Sequence, residues 1–591
     1  MSRSAPLESG FRRGRALGLL LLAGAGLLAA GGRVARIQAT RGDQLRARAT
    51  GQHATSIEIP AQRGAILDAR GRLLAGSVRK RSVYVDPFIA SNPRFAAYSV
   101  APVLGLDPFE LERTLVDRRE RRFVWVKRAV TDAEFAAFTQ VVRARRLTEF
   151  GGQQEPQRIY PLGRTAAAVL GFVGADQRGL AGVELLFNDV MTGRRGQRGA
   201  KVDARRRRVR PQLDEYRAPS DGASVVLTLD AHIQQRAEHH LRLAVEENKA
   251  HWGAAVVLDP RTGEVWAIAN MPDFDPAHPF PDDGRMDENL ERVRNRAIAD
   301  CFEPGSIFKT FIAAPALDEG LTRLNETFEI NGPTHRFGSR VVSDTHVHGS
   351  LTLAEVIAKS SNIGMGLLGQ RCGNQRLFDY VRRFGFGERT GIELPGEHTG
   401  LVQDFSRWTS YSTSSIPIGY EVAVTPIQVA AAFAAVCNGG TLYQARIVRG
   451  VIAANGDVLE DRSTPIVVRQ ALDERSAREF RFGALAEVVR NGTGQKAAIP
   501  DYQVFGKSGT ARVARADGRG YVPGAYAGSF VAAAPLEEPR AVVFVTLYRP
   551  KGSAYYGGTV SAPTAGAILA DTLTYLGAPP DAPRDARRRA F

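Results

Sequence analysis

Apolar and polar residues follow three different periods along this chain, and each predicts a different kind of structure. Between Arg15 and Arg33 an unbroken uncharged run, Ala16 to Gly32, is about 17 residues long, just enough to cross a hydrocarbon core as a helix. From Ile57 to Pro87 short apolar runs alternate with glycine turns, as in Gly64–Asp68, Gly71–Ala75 and Val83–Pro87, which predicts strands and hairpins. Pro102 to Val142 has helical spacing with a charged face at Arg118–Arg122, and a glycine-rich stretch from Gly163 to Gly196 closes this mixed region. The arginine-dense segment Arg194–Pro219, with Arg205–Arg208 and Arg210, reads as a solvated hairpin or linker without a specific ligand.

At Gly222 the pattern changes. Ser224–Leu229 predicts a strand, Asp230 caps a helix running through Glu238, and Trp252–Asp259 with Glu264–Ala269 predicts a hairpin around Pro260–Gly263. Helical spacing then dominates from Phe308 to Phe384 and from Pro426 to Asn438. Strands return at Gln503–Phe505, Ala527–Ala533 and Ala541–Leu547, before an amphipathic helix at Pro563–Leu576. Strands at both ends with helices between them imply an antiparallel sheet closed by distant segments, hence an α+β class. The expected organisation is a cytoplasmic tail at 1–15, an anchor at 16–32, a mixed strand and helix domain at 50–221, a second domain at 222–576 and a disordered tail at 577–591.

Composition changes this picture in two places. A net charge of +16 would, in a soluble chain, make nucleic acid the first candidate partner. The apolar N-terminus redirects it: with the bulk outside the cell membrane, a basic surface meets anionic lipid or wall polymer, and no nucleic acid is expected. The same N-terminus also fits a cleaved signal peptide with Arg12, Arg13 and Arg15 as its charged region, although the apolar run exceeds the ~7–15 residues of a usual signal core. Arginines flank the segment on both sides, so charge alone does not orient it. Second, the three cysteines, Cys301, Cys372 and Cys437, exclude a disulfide framework and read as buried apolar residues. No metal-ligand spacing accompanies them; His346 and His348 are an isolated pair, and no metal or organic cofactor is expected.

The candidate chemistry begins at Pro304-Gly305-Ser306-Ile307-Phe308-Lys309. The Pro-Gly turn would open a helix with Ser306 in its first turn, where unpaired backbone N–H groups can stabilise an oxyanion. Residues three apart share a helix face, so the Lys309 amine can reach the Ser306 hydroxyl. A serine needs a base to become a nucleophile, and lysine serves only if burial among Ile307, Phe308, Phe311 and Ile312 lowers its pKa from about 10.4. The same spacing in Ser77-Val-Arg-Lys80 is rejected, since nothing there would dry out the amine. Two further motifs follow: Ser360-Ser361-Asn362 in a helical region, and Lys507-Ser508-Gly509-Thr510 on a strand.

Together these three motifs resemble those of the penicillin-recognising serine acyl-transferases, Ser-x-x-Lys, Ser-x-Asn and Lys-Thr/Ser-Gly, with Ser508 where threonine is commoner. Arg63–Ala75, Arg158–Gly163 and Gly182–Glu184 are similar to the non-catalytic pedestal of class B penicillin-binding proteins, so the resemblance runs from Ile57 to Leu576. The Ser360–Asn362 form, Asn295–Asp300 and Gly557–Pro563 look like the division branch, with an elongation-type enzyme as rival. The resemblance implies a D,D-transpeptidase. Ser306 would attack the penultimate D-alanine carbonyl of a stem peptide, with Lys309 as base and Ser360 relaying a proton to the leaving D-alanine. Asn362 would hold the substrate amide, and Lys507 would supply positive potential. Ser508 and Thr510 would bind the terminal carboxylate, Gly509 would allow close approach, and the N–H groups of Ser306 and Thr510 would form the oxyanion hole. Implied partners are peptidoglycan stem peptides, β-lactams, the membrane, a multi-pass (SEDS-type) glycan polymerase and division proteins. Alternatives of the same fold are a β-lactamase or carboxypeptidase, and a non-catalytic β-lactam sensor.

Overall fold

The computed structural model describes residues 10–202, 208–281, 285–515 and 517–582, and the chain divides into two compact units. The first unit joins the N-terminal segment through Ala61 to Arg194–Ser220. In it the helix Gly10–His53 includes one span long and apolar enough to cross a membrane, Gly14–Gly42, longer than the predicted run because the helix continues into the polar sequence. Strands Ala54–Ile59, Gly196–Val202 and Arg208–Arg217 form an antiparallel sheet with Gly196–Val202 in the middle. The arginine-rich segment is therefore a hairpin, as its charge density suggested; Arg205–Arg207 lie outside the described residues.

The second unit holds everything else, and its main support is a five-stranded antiparallel sheet. The strand order is Val265–Met271, Trp252–Leu258, Ala541–Tyr548, Tyr521–Ala534 and Phe505–Ala514. As predicted, strands nearly 300 residues apart close it: Val256 pairs with Phe544. Helices Ala231–Glu247 and Ala562–Tyr575 pack on this sheet and on each other, while Pro426–Cys437 packs on it buried along its whole length. Asp230 caps the first of these helices, accepting from the N–H groups of His232 and Ile233 at 2.9 and 3.3 Å.

Three local expectations are corrected. Within the helically spaced stretch, Val124–Val130 is a strand that pairs with Leu73–Val85, and Arg118–Arg122 sits in the exposed turn before it rather than on a helix face. The alternation of Val124, Val126 and Val130 against a ready sheet edge outweighs a weak helical period. Short strand pairs, Thr327–Glu329 with Ser350–Thr352 and Thr334–Phe337 with Arg340–Ser343, interrupt the helical region before Phe384. The start of the expected disordered tail is folded: Ala578 and Ala582 are buried, and Asp581 accepts from the Gln503 N–H at 2.7 Å.

The pattern change at Gly222 does not interrupt the fold. Ile66 and Leu67 pair in parallel with Val225 and Val226 in a seven-stranded sheet that continues through Leu73–Val85. Beside it Glu184, fully buried, accepts from Arg63 Nε and Arg158 Nε at 2.6 Å each, and Arg63 Nη2 donates to the Glu184 carbonyl at 2.6 Å. The two buried guanidinium groups thus share one carboxylate, and backbone carbonyls of Glu184 and Gly64 take further N–H donors.

Candidate active site

The nucleophile turn is shaped by glycine. Gly305 has φ of +55°, and a side chain there would come within 2.6 Å of the Thr510 carbonyl oxygen. From the other side, a side chain on Gly509 would meet the Pro304 carbonyl at 2.7 Å. Two glycines therefore let the turn before Ser306 lie against the strand Phe505–Ala514, the edge strand of the five-stranded sheet. Ser306 itself lies in a tight turn, Gly305–Phe308, that leads into the helix Lys309–Asp318. It stays partly exposed while Ile307, Phe308 and Lys309 are fully buried.

Burial dries out the Lys309 amine as the sequence required. Its pKa is pushed well below the ordinary lysine value, by burial first and by the nearby Lys507 cation second, with Asp344 opposing. The rejected Lys80, by contrast, is exposed on its strand. One geometric expectation differs: among the described residues no hydrogen bond joins Lys309 to Ser306. Lys309 Nζ donates instead to the Ser360 carbonyl at 2.5 Å, Asn362 Oδ1 at 2.8 Å and Ser360 Oγ at 3.1 Å. The amine is tethered by the second motif, and the 3₁₀ winding of the Ser306 turn leaves that serine at the rim.

Ser360 is the meeting point. Its Oγ accepts from Lys309 Nζ and from Lys507 Nζ, both at 3.1 Å. With both lone pairs occupied, the hydroxyl hydrogen is left to donate outward. Ser360 also has φ of +61°, a left-handed conformation that is costly for a residue with a side chain. Lys507 is fully buried, donates to the Ser508 carbonyl at 3.2 Å, and is pushed down by burial to about 7.

The remaining predicted residues are assembled by partners that the sequence did not announce. Asp344 accepts from Ser361 Oγ at 2.5 Å and from the backbone N–H groups of Asn362 and Ile363 at 2.5 and 3.1 Å. It thereby holds the start of the helix Asn362–Arg383, and Asn362 Nδ2 donates to the Ser343 carbonyl at 2.9 Å. Thr493 Oγ1 shares a hydrogen bond of 2.7 Å with Ser508 Oγ, and Thr510 Oγ1 accepts from the Gly557 N–H at 3.0 Å. An aspartate in a loop and a threonine in Asn491-Gly-Thr-Gly494 carry no periodic signal; only the distant groups they bind give them meaning. Ser306, Lys309, Ser360, Asn362, Lys507, Ser508, Gly509 and Thr510 thus come to one locality from three separate chain segments. The arrangement is a partly exposed hydroxyl at a helix start, a desolvated amine, and a second hydroxyl between two amines, a set of groups that acyl transfer through a serine can use.

Comparison with known proteins gives the family. The model of the penicillin binding protein transpeptidase domain matches residues 253–570, more than half of the chain, and that of the penicillin-binding protein dimerisation domain matches 58–227. The chain belongs to the penicillin-binding protein transpeptidase family, as a class B member carrying both domains. It is 34% identical over 533 residues to a probable peptidoglycan D,D-transpeptidase, PenA, of Neisseria meningitidis, covering 89% of this chain and 87% of the relative. It is 31% identical over 573 residues to peptidoglycan D,D-transpeptidase FtsI of Escherichia coli K12, covering 96% and 92%. The crystal structure of penicillin binding protein 3 from Mycobacterium tuberculosis, complexed with aztreonam, superposes with a TM-score of 0.68 at 27% identity, covering 89% of this chain and 99% of that one.

Proposed function

We propose that this protein cross-links peptidoglycan stem peptides through an acyl-enzyme on Ser306, in septal wall synthesis, and that β-lactams inhibit it by acylating the same serine. The observation that carries the reading is the Ser360 hydroxyl held at 3.1 Å from both Lys309 and Lys507 beside the Ser306 turn. Ser306 Oγ attacks the carbonyl carbon of the penultimate D-alanine while neutral Lys309 takes its proton. The C–N bond breaks, and the departing D-alanine nitrogen takes a proton through Ser360, which is replenished by the lysines. An acceptor amine then attacks the ester, a new amide forms and Ser306 regains its proton. The N–H groups of Ser306 and Thr510 serve as the oxyanion hole, Asn362 binds the substrate amide, and Lys507, Ser508 and Thr510 bind the terminal carboxylate across the gap that Gly509 leaves. No step needs a metal or an organic cofactor.

The septal role is supported by the match to FtsI over nearly the whole chain and by the Gly557–Pro563 segment. The apolar N-terminal helix supports a single-pass anchor; the proposed wall chemistry puts the catalytic bulk outside the cytoplasm, where a membrane glycan polymerase and division proteins are the expected partners. The test labels the full-length protein with fluorescent penicillin, maps the adduct by mass spectrometry, and asks whether Ser306→Ala restores septation in cells depleted of the native protein. A stable adduct on Ser306, with no rescue by the variant, is expected. An adduct elsewhere, a label that clears within seconds, or full rescue overturns the reading; rescue of elongation alone moves it to the elongation branch.

A further inference from the structure

A second polar cavity, of about 330 Å³, lies apart from these motifs where the helix Pro426–Cys437 ends beside the turn that follows Ala534. The other end of that helix adjoins Val424, which bridges to Phe302 near the nucleophile turn, so roughly 18 Å of helix separates the two places. Arg261, Arg478, Arg481 and Arg540 line the cavity. Two of them are already paired: Arg261 with Asp259 at 2.8 Å, and Arg478 with Glu537 at 2.7 Å. Arg481, only 6% exposed, spends its two terminal nitrogens on the Cys437 and Glu537 carbonyls, and its Nε has no partner among the described residues. Arg540 Nε is likewise buried and unpartnered.

Two buried guanidinium N–H donors without acceptors are costly, and an oxyanion supplies what they lack. The lining is not uniformly basic, however. Glu474 and Glu538 line the same cavity and are exposed, so a bare anion would meet repulsion at the mouth. A ligand with a carboxylate at one end and an ammonium at the other satisfies both sets of groups. We propose that this cavity binds a zwitterion of the amino-acid or short-peptide class, its carboxylate on Arg481 and Arg540 and its ammonium toward Glu474 and Glu538. A volume of 330 Å³ accommodates a dipeptide, at the lower end of ligand-pocket sizes.

The experiment titrates full-length protein in detergent with D-alanyl-D-alanine, its C-terminal amide and its N-acetyl form, read by isothermal calorimetry. Prior acylation with penicillin occupies the site at Ser306, and if that acylation fails the titration is still localised by variants. Saturable binding of the dipeptide is expected, weakened at least tenfold by amidation, by acetylation and by Arg540→Gln. Glu538→Gln should narrow the gap between the free and acetylated forms while leaving the amide weak. An unchanged melting temperature shows that either variant folds. Absence of saturable binding, binding unaltered in Arg540→Gln, or an acetylated form that binds as well as the free dipeptide overturns the proposal.

Discussion

Replacing Asp344 by asparagine tests whether the second motif is held in a productive conformation from outside itself. The carboxylate takes three hydrogen bonds, at 2.5, 2.5 and 3.1 Å, and hydrogen bonds to a charged acceptor contribute about 1.5–3 kcal/mol each against about 1 for neutral ones. Asparagine keeps one acceptor oxygen but turns an NH₂ toward a donor, so a loss of about 2–3 kcal/mol is expected. Ser360 immediately precedes the anchored Ser361 and has φ of +61°, a conformation that persists only when its surroundings over-determine it. Once the anchor weakens, Ser360 relaxes and its hydroxyl leaves the position 3.1 Å from both amines. At about 1.4 kcal/mol per factor of ten, the acylation rate constant falls roughly 30- to 150-fold.

A second consequence has the opposite sign. Asp344 is the group that raises the pKa of Lys309 against burial and Lys507, so its neutralisation lowers that pKa further. The acid limb of the rate profile, which tracks loss of the Lys309 proton, should move to lower pH while the plateau drops. The assay is the second-order rate of labelling by fluorescent penicillin between pH 5.5 and 8.5, with thermal melting alongside. A plateau within twofold of the parent and an unmoved limb would refute the positioning role. A lowered plateau without any shift would refute the electrostatic half of the argument.

Other expectations follow from the same groups. Ser306→Ala and Lys309→Ala should both abolish the penicilloyl adduct in intact-mass spectra, since members of one proton-transfer unit do not act additively; near-normal labelling of Lys309→Ala removes it as the base. Lys507 has a folded pKa near 7, below its unfolded value, so the unfolded chain binds more protons and the cost of burying it shrinks as pH rises. The stability advantage of Lys507→Met in urea unfolding should therefore decrease from pH 7 to 9, by at most about 1.4 kcal/mol per unit, and a constant or growing advantage contradicts this. Glu238, part-buried and pushed up by desolvation to about 7, binds more protons folded than unfolded, so Glu238→Gln should stabilise the protein more at pH 8 than at pH 5; equal effects at the two values would argue against a charged carboxylate there. Glu184→Gln strips one charge from between Arg63 and Arg158 and should cost about 3–5 kcal/mol, seen as a lower melting temperature with cold acylation retained. An unchanged melting temperature would show that the cluster is dispensable.

What could be read from the sequence was whatever is local. Ser306 and Lys309 share a turn and the start of a helix, Lys507 to Thr510 sit on one strand, and Asp230 precedes the helix it caps. Long-range contacts were legible only as far as apolar strands at both ends demanded a common sheet. The pairing of Ile66 with Val225 was hidden because a shift in composition at Gly222 looks the same whether or not a sheet crosses it. The strand Val124–Val130 was hidden because a short apolar run gains its identity from the edge it meets. Helix geometry pointed Lys309 at Ser306, but no spacing rule could say that the amine would be held by Ser360 and Asn362, some fifty residues on.

That division between local motif and distant partner accounts for how the site is held. Each motif has its own external support: the Thr510 strand for the Gly305 turn, Asp344 for Ser361 and Asn362, and Thr493 with Gly557 for Ser508 and Thr510. Two amines are buried within reach of one hydroxyl, and their depressed pKa values record the cost: burial for both, with repulsion from the Lys507 cation added at Lys309. A site carrying such strain keeps its geometry only while the supports outweigh it. Lesions at the supports should consequently appear as slowed acylation before they appear as unfolding, whereas lesions in the Arg63–Glu184–Arg158 cluster, which touches none of the three motifs, should appear in the reverse order.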